Sequence, residues 1–293
     1  MEQLEDLRRK RESARDLFSV VKTMKSLAAV NIREYEAAAE SLEDYVRSIE
    51  LGLQIAMMRS KKHLRWTRSE KHGTVGAVIF GSEQGMVGQF NEQIADFARR
   101  KLDDLQIDPE RRIVMALGDK LIGRLEASGV RVDDGISVFG SMVDIDEINQ
   151  ELLIRIEEWR LEKDVRRILL FHNRQVSGTR YEQTMHSLLP ISERWLTGLA
   201  GEDWPTNMIP AYYSDWPELF SSLLREYFFV LLYRASVDSL ASENASRLAS
   251  MQSAEKNIQE RLEDLDTRYQ HVRQESITGE LLDIVSGFEV LSS

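Results

Sequence analysis

Leu4, Leu7, Arg11, Ala14, Phe18, Val21, Lys25, Ala28, Ile32, Tyr35, Ala39, Leu42, Val46, Ile49, Leu53 and Ala56 follow one another at alternating steps of three and four. Only Arg11 and Lys25 among them carry charge. The mean step is 3.5, the period that keeps one face of a helix turned toward a partner helix. A second series has the same rhythm near the other end of the chain: Val237, Ala241, Asn244, Leu248, Met251, Glu255, Ile258, Leu262, Leu265, Tyr269 and Val272. Asn244 and Glu255 interrupt it.

The helix breakers agree. The first glycine is Gly52, and all five prolines fall between Pro109 and Pro217. No glycine or proline follows Pro217 until Gly279. The chain therefore reads as an N-terminal helical arm, 1–60, a punctuated centre, 73–210, and a C-terminal helical arm, 215–293. Residues 218–278 as one helix would reach about 90 Å at 1.5 Å per residue. A compact chain of this length is about half as wide, so the helix should project and needs a partner for its apolar stripe. A compact centre would return the chain near where it left. The two arms should then lie antiparallel in a left-handed coil, a rod protruding from the body.

The centre alternates between two periods. Thr74–Phe80, Arg112–Leu117, Val165–Phe171 and Thr184–Leu189 read as strands, with Ile136–Phe139 as a further short one. Asn91–Leu105, Lys120–Ala127 and Val143–Leu161 read as helices. Such alternation argues for a Rossmann-like α/β layer on a largely parallel sheet. The fold class expected is α/β with a long α-helical coiled coil.

Composition removes several functions. With 38 basic against 49 acidic residues, the net charge of −11 disfavours broad nucleic-acid binding. The absence of cysteine excludes disulfides, thiolate metal sites and cysteine nucleophiles. The five histidines do not fall at metal-ligand spacings, and no cofactor is expected. Neither an export signal nor a run of about 18 apolar residues occurs, which leads us to expect a soluble protein kept in the cytoplasm.

Local motifs are weak. Gly85-Met86-Val87-Gly88 sits where a phosphate loop would sit, but the glycine-rich fingerprint and the phosphate-loop lysine are both missing. Tight strand-to-helix turns explain it better, as they do Gly118-Asp119-Lys120. His172 at a strand end reads as a packing or hydrogen-bonding residue. The basic run Arg59–Lys71 reads as a solvated loop, with docking of an acidic partner as the other reading. The seam residues Arg11, Lys25, Asn244 and Glu255 cost stability in a simple zipper. They suit either a wet helix end or a face built to meet other proteins. Three functions remain: an interaction or mechanical subunit, an enzyme binding a phosphorylated ligand at Gly85–Gly88, and a free coiled-coil adaptor.

Longer segments carry a resemblance. Ser242-Glu243-Asn244-Ala245-Ser246-Arg247-Leu248-Ala249-Ser250-Met251, Tyr269, and Arg273 through Gly287 closely resemble the C-terminal signature of the gamma subunit of F-type ATP synthases. Val21–Ala29 and Ser82–Asn91 resemble two further segments of that family, and the stretch from Asp215 to Tyr233 also aligns. Glu83, Gln84 and Val87 replace the family's acidic, basic and cysteine positions, and Arg33 is the only base where it carries a lysine. These departures fit a divergent, alternate (N-type) branch.

The resemblance implies a central-stalk rotor shaft that couples ion-driven rotation to ATP synthesis or hydrolysis and holds no catalytic residue. It implies partners: three alpha and three beta subunits, an epsilon subunit and the membrane rotor c ring. It implies a peripheral place, held through the complex, at the cytoplasmic face of a bacterial or archaeal cell membrane. By the same resemblance Met24, Lys25, Arg247, Arg273, Gln274, Thr278 and Glu280 would meet the beta subunits. Ile284, Val285, Phe288 and Leu291, with Val290, would form a hydrophobic bearing tip. Tyr212, Tyr213 and Asp215 would meet the epsilon subunit and rotor ring.

Overall fold

The computed structural model describes residues 2–59, 73–137 and 142–292. Backbone contacts divide the chain into two units: Met1–Ala28 with Leu248–Ser293, and Ala29–Arg247. Two long helices, α1 (Glu2–Arg59) and α6 (Trp216–Ser292), contribute to both. Neither terminus is folded back into short helices. The basic run expected from Arg59 to Lys71 falls, past the end of α1, outside the described residues.

In the first unit the segments of α1 and α6 pair antiparallel. Val21 and Ala28 on one helix, and Met251, Leu262 and Leu265 on the other, are the buried apolar positions. All five belong to the 3–4 series read from the sequence.

The second unit is built on a five-stranded sheet in the order β3-β2-β1-β4-β5. β1 (Thr74–Phe80) lies between β2 (Arg112–Leu117) and β4 (Val165–Ser177), parallel to both. β3 (Asp134–Ile136) extends the parallel set, and β5 (Arg180–Leu189) pairs antiparallel with β4. The strands thus run longer at this edge than the apolar stretches Val165–Phe171 and Thr184–Leu189. A hairpin through Gly178, which sits at φ +57, continues the ladder into polar sequence. The expected strand Ile136–Phe139 ends at Ile136, and 138–141 lie outside the described residues.

The parallel strands are apolar on both faces because both are covered. Val75, Ala77 and Ile79 of β1 pack with Val114 and Ala116 of β2 against α2 (Phe90–Asp104) and α3 (Asp119–Ala127). Val78 and Phe80, with Met115, Leu117, Ile168 and Leu170, face the other way. There they join α4 (Met142–Glu162), Ile49 and Leu53 of α1, and Phe220 to Leu240 of α6. A short helix, α5 (Glu193–Gly201), adds Leu196 and Leu199 to this second core. Ser192 caps it by accepting from the Trp195 amide.

Candidate functional site

In a sheet of this order the chain leaves β1 toward β2 on one side and returns to β4 on the other. The carboxyl ends of β1 and β4 therefore flank the topological switch point, where open α/β sheets take their ligands. β1 ends at Phe80, and the loop from Gly81 to Gln89 follows. Within it the Ser82 amide donates to Asn91 Oδ1, and Asn91 Nδ2 donates to Ser82 Oγ (3.0 and 2.8 Å). The Lys120 amide donates to the Ser82 carbonyl, tying the loop to the start of α3. Gly118 approaches so closely, at φ +94, that a Cβ there would lie 2.5 Å from the Ser82 carbonyl carbon. Both glycine-bearing turns therefore serve strand-to-helix packing.

The crevice itself is filled by α6. From Ala235 to Arg247 every residue but Asp238 is buried. Small side chains let the helix come close: Ala235, Ser236, Ser239, Ala241, Ser242, Ala245 and Ser246. Ser246 Oγ donates to the Val87 carbonyl at 2.6 Å, inside the Gly85–Gly88 turn. Ser236 Oγ donates to Asn149 Oδ1 of α4 at 3.1 Å. A cavity of about 20 Å³ lies between Phe80, Gly81 and Leu117 on the sheet side and Ser236, Ser239 and Leu240 on α6. That space holds a water but no phosphate-bearing ligand.

The charges here are enclosed. Glu243 Oε1 accepts from Arg247 Nη2 at 2.6 Å, one turn apart on α6, with both side chains about a tenth exposed. Burial pushes the Glu243 carboxyl upward despite the opposing pull of Arg247. Tyr35 of α1 is pushed up to about 12, first by burial and then by the Glu243 carboxylate. Asn31 Nδ2 donates to Asn244 Oδ1 at 3.4 Å across the two helices. On β4, His172 is buried with Nε2 3.7 Å from Asp238 Oδ2 and 3.1 Å from Thr184 Oγ1. Its ring stacks on His186 at 5.4 Å. Burial, with His172 beside it, lowers the His186 pKa. Glu243 and His172 are closed off from a substrate, whereas His186 on β5 remains exposed.

The coil unit treats charge differently. Lys25 Nζ lies 2.5 Å from Glu255 Oε2. Arg11 reaches Asp266 at 3.2 Å, and its guanidinium lies 4.4 Å from the Tyr269 ring centre. Arg11, Lys25 and Glu255 thus pair across the seam while their side chains keep part of their exposure. Apolar side chains are left outside instead: Leu17, Val20 and Leu27 on α1, and Ile277, Leu281, Ile284 and Val285 on α6, each about half exposed.

Met24 and Lys25 are half-buried in the coil, whereas Arg273, Gln274, Thr278 and Glu280 lie exposed along α6. Thr278 Oγ1 donates to the Gln274 carbonyl at 2.8 Å. Ile284 and Val285 are exposed, while the side chains of Phe288, Val290 and Leu291 lie outside the described part. Tyr213 is fully exposed, Tyr212 half-buried and Asp215 exposed beside the first turn of α6. Arg247 stands apart from the other charged candidates, buried on Glu243. Sequence reasoning passed over Asn91, Asp238, Ser242 and Ser246 as a group. Their signal was the Ala/Ser-rich run from Ala235 to Ser250, dense in small side chains on every face of the helix.

Among the described residues no helix is long and apolar enough to cross a membrane, and no cluster of three metal-ligating side chains occurs. Comparison with known proteins agrees with this architecture. A family model described as ATP synthase matches residues 3–291. The chain is 27% identical to the ATP synthase gamma chain of Nitratiruptor sp., across 99% of this chain and all of that one. It is 29% identical to the ATP synthase gamma chain of Anaeromyxobacter dehalogenans, across the same shares. Its fold matches a chain in the rotor of the Euglena gracilis mitochondrial ATP synthase, with a TM-score of 0.64 at 16% identity over 94% of this chain and 99% of that one. It also matches a chain from the central stalk and c-ring of the Tetrahymena thermophila mitochondrial enzyme, with a TM-score of 0.58 at 18% identity over 80% and 99%. With a family model that spans nearly its whole length and gamma chains similar to it from end to end, this chain belongs to the ATP synthase family.

Proposed function

We propose that this chain is the central-stalk, gamma-type shaft of an F-type ATP synthase. The observation that carries this reading is the sealed switch point. The α/β unit spends its ligand crevice on its own C-terminal helix, so the unit anchors helices rather than substrates. The coil unit supports it from the other side. Its charges pair internally, and its outward stripe of Leu17, Val20 and Leu27 has no use in an isolated helix pair.

In this reading the arms 1–60 and 215–293 form the shaft and 73–210 its α/β layer. The shaft turns within three alpha and three beta subunits, and its foot, with Tyr212, Tyr213 and Asp215, rests on the epsilon subunit and rotor c ring. Met24, Lys25, Arg273, Gln274, Thr278 and Glu280 face the beta subunits in turn, and Arg247 joins them only if its pair with Glu243 opens. The tip from Ile284 to Leu291 runs in an apolar bearing. The shaft does not react. It favours one beta conformation over another at each angle, and the binding differences among those conformations drive nucleotide exchange. The assembly sits peripherally at the cytoplasmic face of a bacterial or archaeal cell membrane.

The test is reconstitution. A complex reconstituted in membranes with alpha, beta and epsilon subunits, the rotor c ring and its membrane partners should couple ion flow to ATP synthesis when it holds this chain, and without it the coupling should vanish, while the isolated chain hydrolyses no ATP. Coupling that persists in its absence would overturn the reading. Nucleotide binding by the isolated chain that Gly88→Asp abolishes would favour the rival enzyme.

A further inference from the structure

One face of α4 is left uncovered and carries charge of a single sign. Glu147, Glu151, Ile154, Glu158, Leu161 and Glu162 fall within about a third of the helix circumference. No lysine or arginine shares that third. Arg155 turns aside from it to Glu151 and Asp134. Glu147, Glu158 and Glu162 are exposed and form no ion pair with another described residue. Between them Ile154 and Leu161 are 60% and 80% exposed.

Single exposed apolar residues are ordinary. Two in line, one heptad apart and flanked by acids, form the seam of a helix that has a partner. The acids also sit at an unfavourable end. Glu158 and Glu162 lie in the last two turns of α4, where carboxylates oppose the helix macrodipole and cations favour it. The occupant that suits such a face is basic and brings large apolar side chains of its own.

The chain carries such a segment and tethers it at this place. Residues 60–72, outside the described part, contain Lys61, Lys62, Arg65, Arg68 and Lys71 against one acid, Glu70, with Leu64 and Trp66 as their large apolar residues. Both ends of the segment are fixed near the C-terminal end of α4. At one end Thr74 pairs with Val165, just beyond Glu162, and a Cβ on Gly73 would lie 3.1 Å from Arg166 Cγ. At the other, the Ala56 carbonyl in the last turn of α1 accepts from Trp216 Nε1 at 2.6 Å. Farther along α6, Arg225 reaches Glu157 of α4 at 3.7 Å. A segment of this length extends to at most about 45 Å, whereas Ile154 and Leu161 are about 10 Å apart along the helix. Tethering raises the effective concentration to the millimolar range, so weak contacts suffice.

We propose that this stripe of α4 is the docking face of the chain's own basic segment 60–72, whose Leu64 and Trp66 cover Ile154 and Leu161 while its lysines and arginines face Glu147, Glu158 and Glu162. The docking concerns the α/β unit alone and does not depend on the shaft reading.

Carbodiimide cross-linking of the full-length chain tests it, with the joined peptides read by mass spectrometry. Lys61, Lys62 or Lys71 should join Glu147, Glu158 or Glu162 within one chain at low salt. The yield should drop in about 1 M salt, where the screening length is about 3 Å. Chymotryptic cleavage after Trp66 should be about fivefold faster in the double variant Glu158→Gln with Glu162→Gln, the worth of two exposed ion pairs. Adding Leu161→Ser should speed it again. Removing these acids relieves the end of α4, so faster cleavage does not come from an unfolded helix. Cross-links from the segment to other acids only, or equal cleavage rates in the parent and the variants, would overturn the proposal. So would cross-links formed only between chains, detected by mixing isotope-labelled and unlabelled protein, which would make the occupant a second copy.

Discussion

The same helix, α6, meets α1 and its other neighbours in two ways. In the coil unit it shows one stripe to its partner and leaves the rest in water. Its charges there sit about a quarter to two-fifths exposed, as Glu255 and Asp266 do against Lys25 and Arg11. From Ala235 to Arg247 it is enclosed almost all round, and the Glu243–Arg247 pair has lost nearly all its water. The contrast separates two jobs. A coil with half-wet ion pairs keeps its register and can still turn past other surfaces. A helix sealed into a sheet cannot turn independently of that sheet.

The sharpest way to break this comparison is to remove one partner of the sealed pair. Arg247→Met leaves Glu243 buried without its counter-charge and should cost about 3–5 kcal/mol. Glu243→Gln in the same chain should restore most of that loss, because the stranded charge goes with it. Urea denaturation of the two variants decides the point. A loss below about 1 kcal/mol for Arg247→Met would mean that the pair behaves like a surface one. Next in size is the close approach itself. Ser242 is fully buried, so Ser242→Leu should overpack the crevice at about 1–3 kcal/mol. Ser26→Leu, on the exposed side of the coil, should stay within about 0.5 kcal/mol. Thermal melts of both variants measure the difference directly.

These two regions also differ in how much of them the sequence discloses. The coil is legible because a single stripe is what a 3.5 period describes, and Val21, Ala28, Met251, Leu262 and Leu265 are where the stripe says they should be. The parallel strands are legible because burial on both faces makes them short, unbroken apolar runs. The sealed segment is harder. Periodicity picks Val237, Ala241 and Asn244 as one face, but a helix covered on every side has no face to find. The small residues that permit such cover read as neutral spacing. The outer half of the β4–β5 hairpin escapes for a different reason. Asn173 to Ser177 and Arg180 to Gln183 are held by ladder bonds, not by an apolar alternation. Helix α5 hides behind Pro190, Gly198 and Gly201, although Ser192 marks its start. The charge pairings are invisible until the register of the coil is known, because Lys25 and Glu255 are 230 positions apart.

A smaller effect tests the border of the sealed region through protons, at His186, which is exposed on β5 and stacks on buried His172. Burial holds the His186 pKa below its ordinary value, and His172, Arg174 and Arg234 push the same way against Asp238. The unfolded chain therefore binds the extra proton first as the pH falls. The His186 contribution to stability is complete above its unfolded pKa, near 6.5, and is lost as the pH drops from there toward the folded value. The slope is at most about 1.4 kcal/mol per pH unit for one proton. Glu50 and Glu243, both raised by burial, work in the opposite direction, so the total need not fall. The difference between the parent chain and His186→Gln cancels them. Denaturation at about pH 7.5 and about pH 5.5 should show the parent losing stability relative to the variant. A constant difference would mean that His186 does not feel His172 and the charges around it.

The smallest expected effect belongs to the coil. Lys25 and Glu255 are in contact at 2.5 Å, yet their side chains keep 31% and 24% of their exposure. Water and salt screen such a pair, and ordering two long side chains offsets part of the attraction. A double-mutant cycle of Lys25→Met and Glu255→Gln should return a coupling of about 1 kcal/mol or less. It should shrink further in about 1 M salt, where the screening length falls to about 3 Å. The cycle built on Glu243 and Arg247 should scarcely respond to the same salt, because solvent does not reach between them. If both couplings fell together, the two stretches of α6 would share one electrostatic environment, and the sealed crevice would be open to water. If neither fell, the coil seam would be as dry as the crevice, and its paired charges would fix the register of the helices as firmly as its apolar core does.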